Sequence, residues 1–284
     1  MVMTKPSVCS VNITRIADNK PEQTEDLLAV EEPMEIRLGF GPMDARQQKS
    51  ISVTMRTPGN DFELALGFLF TEGIIQNPID VYKIRYCTEL NTQENLENIV
   101  RVELNPNLDI DLSKLQRNFY ATSSCGVCGK ESIEAIKTNC MVQQLDLSLQ
   151  ITPQTINQLP DKLRAQQPVF EHTGGIHACA LFDADGRLLL LREDVGRHNA
   201  LDKLIGAAIH ASSIKLNETV LLLSGRASFE LLQKAAMAGI PVVCAVGAPS
   251  SLAVQTAVSF NVTLVGFLRN QRFNIYACPE RITH

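Results

Sequence analysis

The chain contains no tryptophan, and aromatic residues make up only 5% of it. A surface that stacks nucleic-acid bases needs exposed aromatics. The basic excess that neutralises phosphates is missing as well, since the formal net charge is −5. Nucleic acid is therefore not expected as a partner, although a local anion pocket stays open. No apolar run approaches the roughly 18 residues of a membrane-spanning helix, so no membrane partner is expected. The opening residues, MVMTKPSVCSVNITR, lack the apolar core of a secretory signal, so the expected location is cytoplasmic. Repeats and low-complexity segments are absent, and so is the phosphate loop GxxxxGK[ST]. There is one CxxC and no second. Four-ligand zinc sites are usually completed by another such pair or by paired histidines, and His172 and His177, in a glycine-containing segment, make a poor pair. No metal ligand is assigned, and no permanently bound metal ion is expected.

What is present fits a globular protein of one or two domains: 284 residues, 45% of them hydrophobic. Residues 1–30 are polar and mixed and read as a loosely ordered arm. Residues 31–150 read as a smaller α+β domain that ends in the CxxC loop. In it EIRLGF and SISVTMRT alternate as strands, and VYKIRYC and NIVRVEL follow as two more. Asn60 with Glu63 predicts a capped helix that carries Leu64 and Phe68 and ends near Gly73. Residues 151–284 read as an α/β domain. ACALF and RLLLLRE form a hairpin; TVLLLSG, IPVVCAVG and VTLVGFL are buried strands; helices lie between them. That rhythm predicts a sheet with helices on both faces. Pro160 predicts a break or kink within residues 153–167.

Eight cysteines are present, and without a secretory signal most read as reduced thiols. Cys179 and Cys244 lie in apolar strands and read as small core residues. Cys125 and Cys128 differ. They sit in Ser-Ser-Cys-Gly-Val-Cys-Gly-Lys, where the glycines suit a mobile or tightly turned loop. Two thiols so placed can exchange sulfur, cycle a disulfide, or hold half of a metal site. The first two need thiolate, and a free cysteine is only about 3% ionised at pH 7. A helix expected just after Cys128 adds about 0.3–1 kcal/mol of stabilisation, short of the roughly 2 kcal/mol that a pKa near 7 requires. Lys130 adds attraction and Glu131 opposes it.

Four further segments follow strands. Glu193-Asp194-Val195-Gly196-Arg197-His198-Asn199 opens a helix and reads either as ordinary capping or as a polar pocket for an anion. Ser224, Gly225 and Arg226, followed by Ala227 and Ser228, let a backbone approach a phosphate-bearing ligand. Residues 247–251 repeat that design. After the last buried strand come Phe267, Leu268, Arg269, Asn270, Gln271 and Arg272, where two arginines can grip phosphate or guanine or merely end a strand in solvent.

CGVCG, EDVGRHNALDK, SGRAS with a helix containing QKAAMAG, and LVGF leading into basic residues occur in that order. The combination resembles the formate dehydrogenase accessory sulfurtransferase (FdhD) family over residues 30–284. The resemblance implies a cytidine-deaminase-like fold in the later part, and a homodimer. It implies an enzyme, a sulfurtransferase that accepts sulfur from a cysteine desulfurase. The acceptor is the molybdenum or tungsten bis-pterin guanine dinucleotide, Mo-bis(molybdopterin guanine dinucleotide) in the molybdenum case, used by formate dehydrogenase. Cys125 would carry the persulfide and Cys128 would assist or resolve it. Phe267 to Arg272 would bind the cofactor. Arg197, His198 and Arg226 are suitable contacts for its guanine nucleotide ends. Zinc deamination is disfavoured: His177-Ala178-Cys179 has cysteine where the HxE motif needs glutamate, and the CxxC precedes it without a proline. The alternatives are a non-catalytic cofactor chaperone and a thiol–disulfide oxidoreductase.

Overall fold

The computed structural model describes residues 5–87, 97–106, 108, 148–211 and 213–283. Cys125, Cys128 and the helix expected after them lie outside the described residues. The expectation of a loosely ordered arm over residues 1–30 is not met for residues 8–29. There β1 (Val8–Ala17) pairs antiparallel with β2 (Lys20–Ala29). Asp18 and Asn19 make the turn at φ 50° and 63°. These residue types tolerate the left-handed conformation that a two-residue hairpin turn requires. Nearly every side chain of the hairpin is exposed or only half-buried, so its composition stays polar and hides the strands.

The next unit is a four-stranded sheet in the order β4-β3-β6-β5, from β3 (Glu32–Phe40), β4 (Gln47–Arg56), β5 (Val81–Tyr86) and β6 (Ile99–Leu104). Its period-two pattern puts Met34, Ile36 and Leu38 inward, against Leu64 and Leu69 of α1 (Asp61–Thr71). Glu35 and Arg37 face away and pair with each other at 2.7 Å. The expected capping box at Asn60 does not form. Asn60 is left-handed, at φ 57°, and makes no side-chain cap bond. Glu63 is instead held by Arg192, at 2.8 Å. An ion pair to a neighbouring strand has outcompeted a local cap.

The larger unit is a six-stranded sheet in the order β12-β11-β10-β9-β7-β8. Its strands are β7 (His177–Phe182), β8 (Leu188–Asp194), β9 (Val220–Leu223), β10 (Val242–Ala245), β11 (Thr263–Arg269) and β12 (Arg272–Ala277). Strands β9, β10 and β11 are parallel; β7 runs against β8 and β9, and β12 against β11. Alternate residues serve opposite faces. Ala178, Ala180, Leu222, Val242 and Cys244 pack with Ile156, Leu159 and Leu163 of α2 (Pro153–Arg164). Cys179, Leu181, Leu221, Leu223 and Val243 pack with α4 (Arg197–Ala211), α5 (Phe229–Met237) and α6 (Ser251–Ser259). Strands buried on both sides explain the continuous apolar runs. Pro160 does not interrupt α2. Its position forfeits the bond to the Ile156 carbonyl, but Ile156, Leu159 and Leu163, all essentially buried, hold the helix to the sheet. The chain leaves the helix after Arg164, ahead of the short α3 (Pro168–Thr173).

Helices α1 and α4 join the two units. They cross where glycine meets glycine: a Cβ on Gly206 would lie 2.8 Å from the Glu63 carbonyl carbon and 2.9 Å from the Gly67 nitrogen. Charges are buried beside the crossing. Lys234 Nζ lies 3.0 Å from Asp202 and 2.9 Å from Glu72. Burial pushes the Asp202 carboxyl up to about 6. Burial also opposes the charge on Lys234, yet Asp202 and Glu72 hold its pKa above the usual lysine range.

Candidate functional site

Parallel strands end on one edge of a sheet, so the turns after β9, β10 and β11 meet there. The start of the antiparallel β7 and the end of β8 lie on the same edge, with His177 opposite Asp194. Four of the segments singled out from the sequence are thereby brought together. Gly247 N donates to Gly225 O at 2.9 Å, Ser250 N to Ala227 O at 3.0 Å, and Phe267 N to Gly247 O at 3.0 Å. Gly247 must be glycine here, because a Cβ would stand 2.9 Å from Arg226 Cγ and 3.1 Å from its backbone. Ser224 is committed to the scaffold: its Oγ accepts from Ala178 N at 2.9 Å. Its hydroxyl hydrogen remains able to donate. Arg226 is exposed.

Residues 267–272 are not a free loop. They form the tip of the β11–β12 hairpin, with Asn270 and Gln271 turning at φ 53° and 57°. Leu268 is 1% exposed and belongs to the core, so its side chain offers nothing to a ligand. Phe267 turns at φ 54°, where the register shifts. Arg269 and Arg272 are register partners and both are exposed. Directly opposite residues share a face, and like charges so placed are destabilising. The Arg269 guanidinium sits 5.9 Å from the centre of the Phe267 ring.

The other end of the edge is half-buried. Arg197 and His198 open α4, and Arg197 Nε and His198 Nε2 are buried without a hydrogen-bond partner. His198 Nε2 comes no nearer than 3.9 Å to Glu230 Oε2. Burial, then Lys234 and Arg197, push the His198 pKa down to about 4. His177 is also lowered, by burial and then by Arg197. Both rings are therefore neutral at pH 7. Ser228, at the start of α5, makes no side-chain cap bond.

A cleft of about 600 Å³ opens next to His177 and Ser224. The Arg164 guanidinium lies 4.0 Å over the Phe170 ring on its wall. Gln167, another lining residue, has a buried amide nitrogen without a partner. These α2–α3 residues were not legible as site residues, because nothing in the sequence says which helix flanks the strand ends.

The expected core cysteines behave as such. Burial raises the Cys179 thiol well above the ordinary range and pushes Cys244 up to about 12. Neither is a nucleophile at neutral pH. Among the described residues, no three His, Cys, Asp or Glu side chains converge as a metal site, and no helix is long and apolar enough to cross a membrane. Cys125 and Cys128 lie in the chain between β6 and α2, outside the described residues.

A model of the FdhD/NarQ family matches residues 29–283. The chain belongs to the FdhD/NarQ family. A Streptomyces coelicolor relative named sulfur carrier protein FdhD is 48% identical over 272 residues, covering 95% of this chain and 94% of the relative. A Mycobacterium tuberculosis protein of the same name is 48% identical, covering 91% and 92%. One from Sulfolobus acidocaldarius is 40% identical, covering 96% and 97%. The fold is similar to a solved structure from Desulfotalea psychrophila, named for a formate dehydrogenase accessory role. That similarity has a TM-score of 0.74 at 24% identity and covers 98% of this chain and all of the other.

Proposed function

We propose that this chain is a sulfur carrier that loads sulfur onto the cofactor of formate dehydrogenase. Cys125 takes the outer sulfur of a cysteine desulfurase persulfide: its thiolate attacks that sulfur, and the desulfurase thiolate leaves. Attack by the Cys128 thiolate on Cys125 Sγ then releases the outer sulfur as sulfide. The two cysteine sulfurs supply the electrons and end as a disulfide, which a thiol reductant reopens. The acceptor is Mo-bis(molybdopterin guanine dinucleotide) or its tungsten counterpart, bound as substrate.

One observation supports the cofactor reading most. Unpaired or repelling cationic and donor groups gather on a single sheet edge. Arg197 Nε and His198 Nε2 are buried without partners at one end, and Arg269 opposes Arg272 at the other. A buried polar atom without a partner costs about 1–3 kcal/mol; an anionic ligand along the edge relieves this at the Arg197 guanidinium, and at the neutral His198 ring in the tautomer with its proton on Nε2, and relieves the arginine repulsion as well. The four strand spacings from β11 to β8 span about 19 Å, room for an extended ligand that carries pyrophosphates and guanines. A cytidine-deaminase-like fold for the larger sheet and a homodimer belong to the same reading. The named relatives, and the family resemblance carried by the CGVCG sequence, support the sulfur chemistry.

The test is to incubate the chain with a cysteine desulfurase and cysteine, then assay activation of sulfur-free formate dehydrogenase. Wild type should activate it and Cys125→Ala should not. A non-catalytic chaperone would activate equally in both forms.

A further inference from the structure

We propose that Asp194, Asn199 and Lys203 are positioning residues that aim Arg197 and His198 at the ligand by pinning the start of α4 to the end of β4 in the other sheet. The inference rests on the reading of Arg197 and His198 as ligand contacts. Asp194 is fully buried. Its Oδ1 accepts from Gly196 N at 2.8 Å and from Asn199 Nδ2 at 3.2 Å. Its Oδ2 accepts from Thr57 N at 3.1 Å and pairs with Lys203 Nζ at 2.7 Å. Lys203 Nζ also donates to Thr57 O at 2.7 Å. Asn199 Nδ2 donates to Met55 O at 2.7 Å, and Asn199 Oδ1 accepts from Thr54 Oγ1 at 3.1 Å. Val195 N donates to Thr57 Oγ1 at 3.2 Å.

Asp194, Val195 and Asn199 are thus fixed to Thr54, Met55 and Thr57, with Gly196 held to Asp194, and Arg197 and His198 lie between the two anchor points. These two are the members of the segment that carry buried polar atoms without partners. Gly196 permits the closure, since its Cβ would fall 3.1 Å from Asn199 Nδ2 and 3.3 Å from Asp194 Oδ1. A buried ion pair is a poor way to gain stability, because desolvation offsets the attraction. The junction is already held by the Gly67–Gly206 crossing and by the Lys234 cluster. What the Asp194 network adds is a fixed direction for the α4 start, and preorganised donors bind without an ordering cost.

The test is calorimetric titration of the full chain with GDP, in a double-mutant cycle with Arg197→Ala/His198→Ala as the second arm. Loss of one well-placed charge-assisted contact corresponds to about tenfold in affinity. Asn199→Ala should weaken GDP binding about tenfold in the wild-type chain and not at all in the Arg197→Ala/His198→Ala background, because it acts through those residues. Thr54→Val, which removes one bond to Asn199 with little change in volume, repeats the cycle with a smaller loss should Asn199→Ala fold poorly. Glu63→Gln loosens the same junction away from the network. It should lower thermal stability and leave GDP affinity unchanged. Equal losses from Asn199→Ala in both backgrounds, or an affinity loss in Glu63→Gln that tracks its loss of stability, would make the network merely structural. An unchanged affinity in Arg197→Ala/His198→Ala would instead overturn the underlying reading of the site. A weakened background with Asn199→Ala and Thr54→Val indistinguishable from wild type would remove the positioning role alone.

Discussion

Replacing Gly206 with alanine should destabilise the protein, against the ordinary rule for helix interiors. At a solvent-exposed helical position, glycine to alanine gains about 0.5–1 kcal/mol, because the unfolded chain loses freedom and the helix propensity rises. Gly206 is in the middle of α4, so this gain is available. At the crossing with α1, however, the new methyl would sit 2.8 Å from the Glu63 carbonyl carbon and 2.9 Å from the Gly67 nitrogen. Carbon atoms pack comfortably at about 3.5–4.0 Å, so the helices must part by roughly an ångström. The obstacle is backbone, which cannot swing aside as a side chain does. Forced overpacking costs about 1–3 kcal/mol. Separation also stretches the bonds from Lys234 to Glu72 and from Lys203 to Thr57, which cross the same junction. The balance is a net loss of about 2 kcal/mol. Gly206→Val lacks the propensity gain, adds bulk, and should lose more. Urea denaturation followed by far-ultraviolet circular dichroism measures both. A Gly206→Ala protein as stable as wild type, or more stable, would refute the backbone-to-backbone crossing.

His198, pushed down to about 4, binds fewer protons folded than unfolded, where a histidine titrates near 6.5. Its contribution to stability is therefore full above about pH 6.5 and is lost as pH falls toward 4. Thermal melts at about pH 7.5 and about pH 5 should show a smaller acid loss in His198→Gln than in wild type; identical losses would contradict the buried, neutral ring. The double change Arg269→Ala/Arg272→Ala should weaken GDP binding at least about tenfold, more than a solvated pair of charges contributes. Equal affinities in calorimetric titration would move the nucleotide away from the hairpin tip.

The central strands of the six-stranded sheet were legible because burial on both faces leaves runs such as VLLL and VVCA without polar interruption, whereas the largely exposed edge strand β12 has no such run and was not read as a strand. Helix ends followed local chemistry, as at Gly73, left-handed at φ 69° after α1. What escaped had its cause elsewhere in the chain. The β1–β2 hairpin is too exposed to show an apolar face. Asn60 looks like a cap until Arg192, far along the sequence, takes Glu63. Pro160 reads as a break until the packing of Ile156, Leu159 and Leu163 outweighs it. The strand-end segments were found one at a time from their small and basic residues. Their meeting on one edge needed the strand order. Asp194 was read within an ordinary or anionic helix start. Its bond to Lys203 could have been suspected only from the charged pair Asp202-Lys203 set between Ala200-Leu201 and Leu204-Ile205 in the helix that follows. Arg269 and Arg272 were recognised as a basic pair, but the turn at Asn270 and Gln271 that sets them face to face is a property of the backbone.

The central claim is that sulfur rides on Cys125. Intact-protein mass spectrometry after incubation with a cysteine desulfurase and cysteine tests it most directly. The account predicts that Cys128→Ala, which cannot resolve the persulfide, gains the mass of one sulfur atom, that a thiol reductant removes it, and that Cys125→Ala gains nothing. The same sulfur adduct on Cys125→Ala, or none on Cys128→Ala, would contradict it.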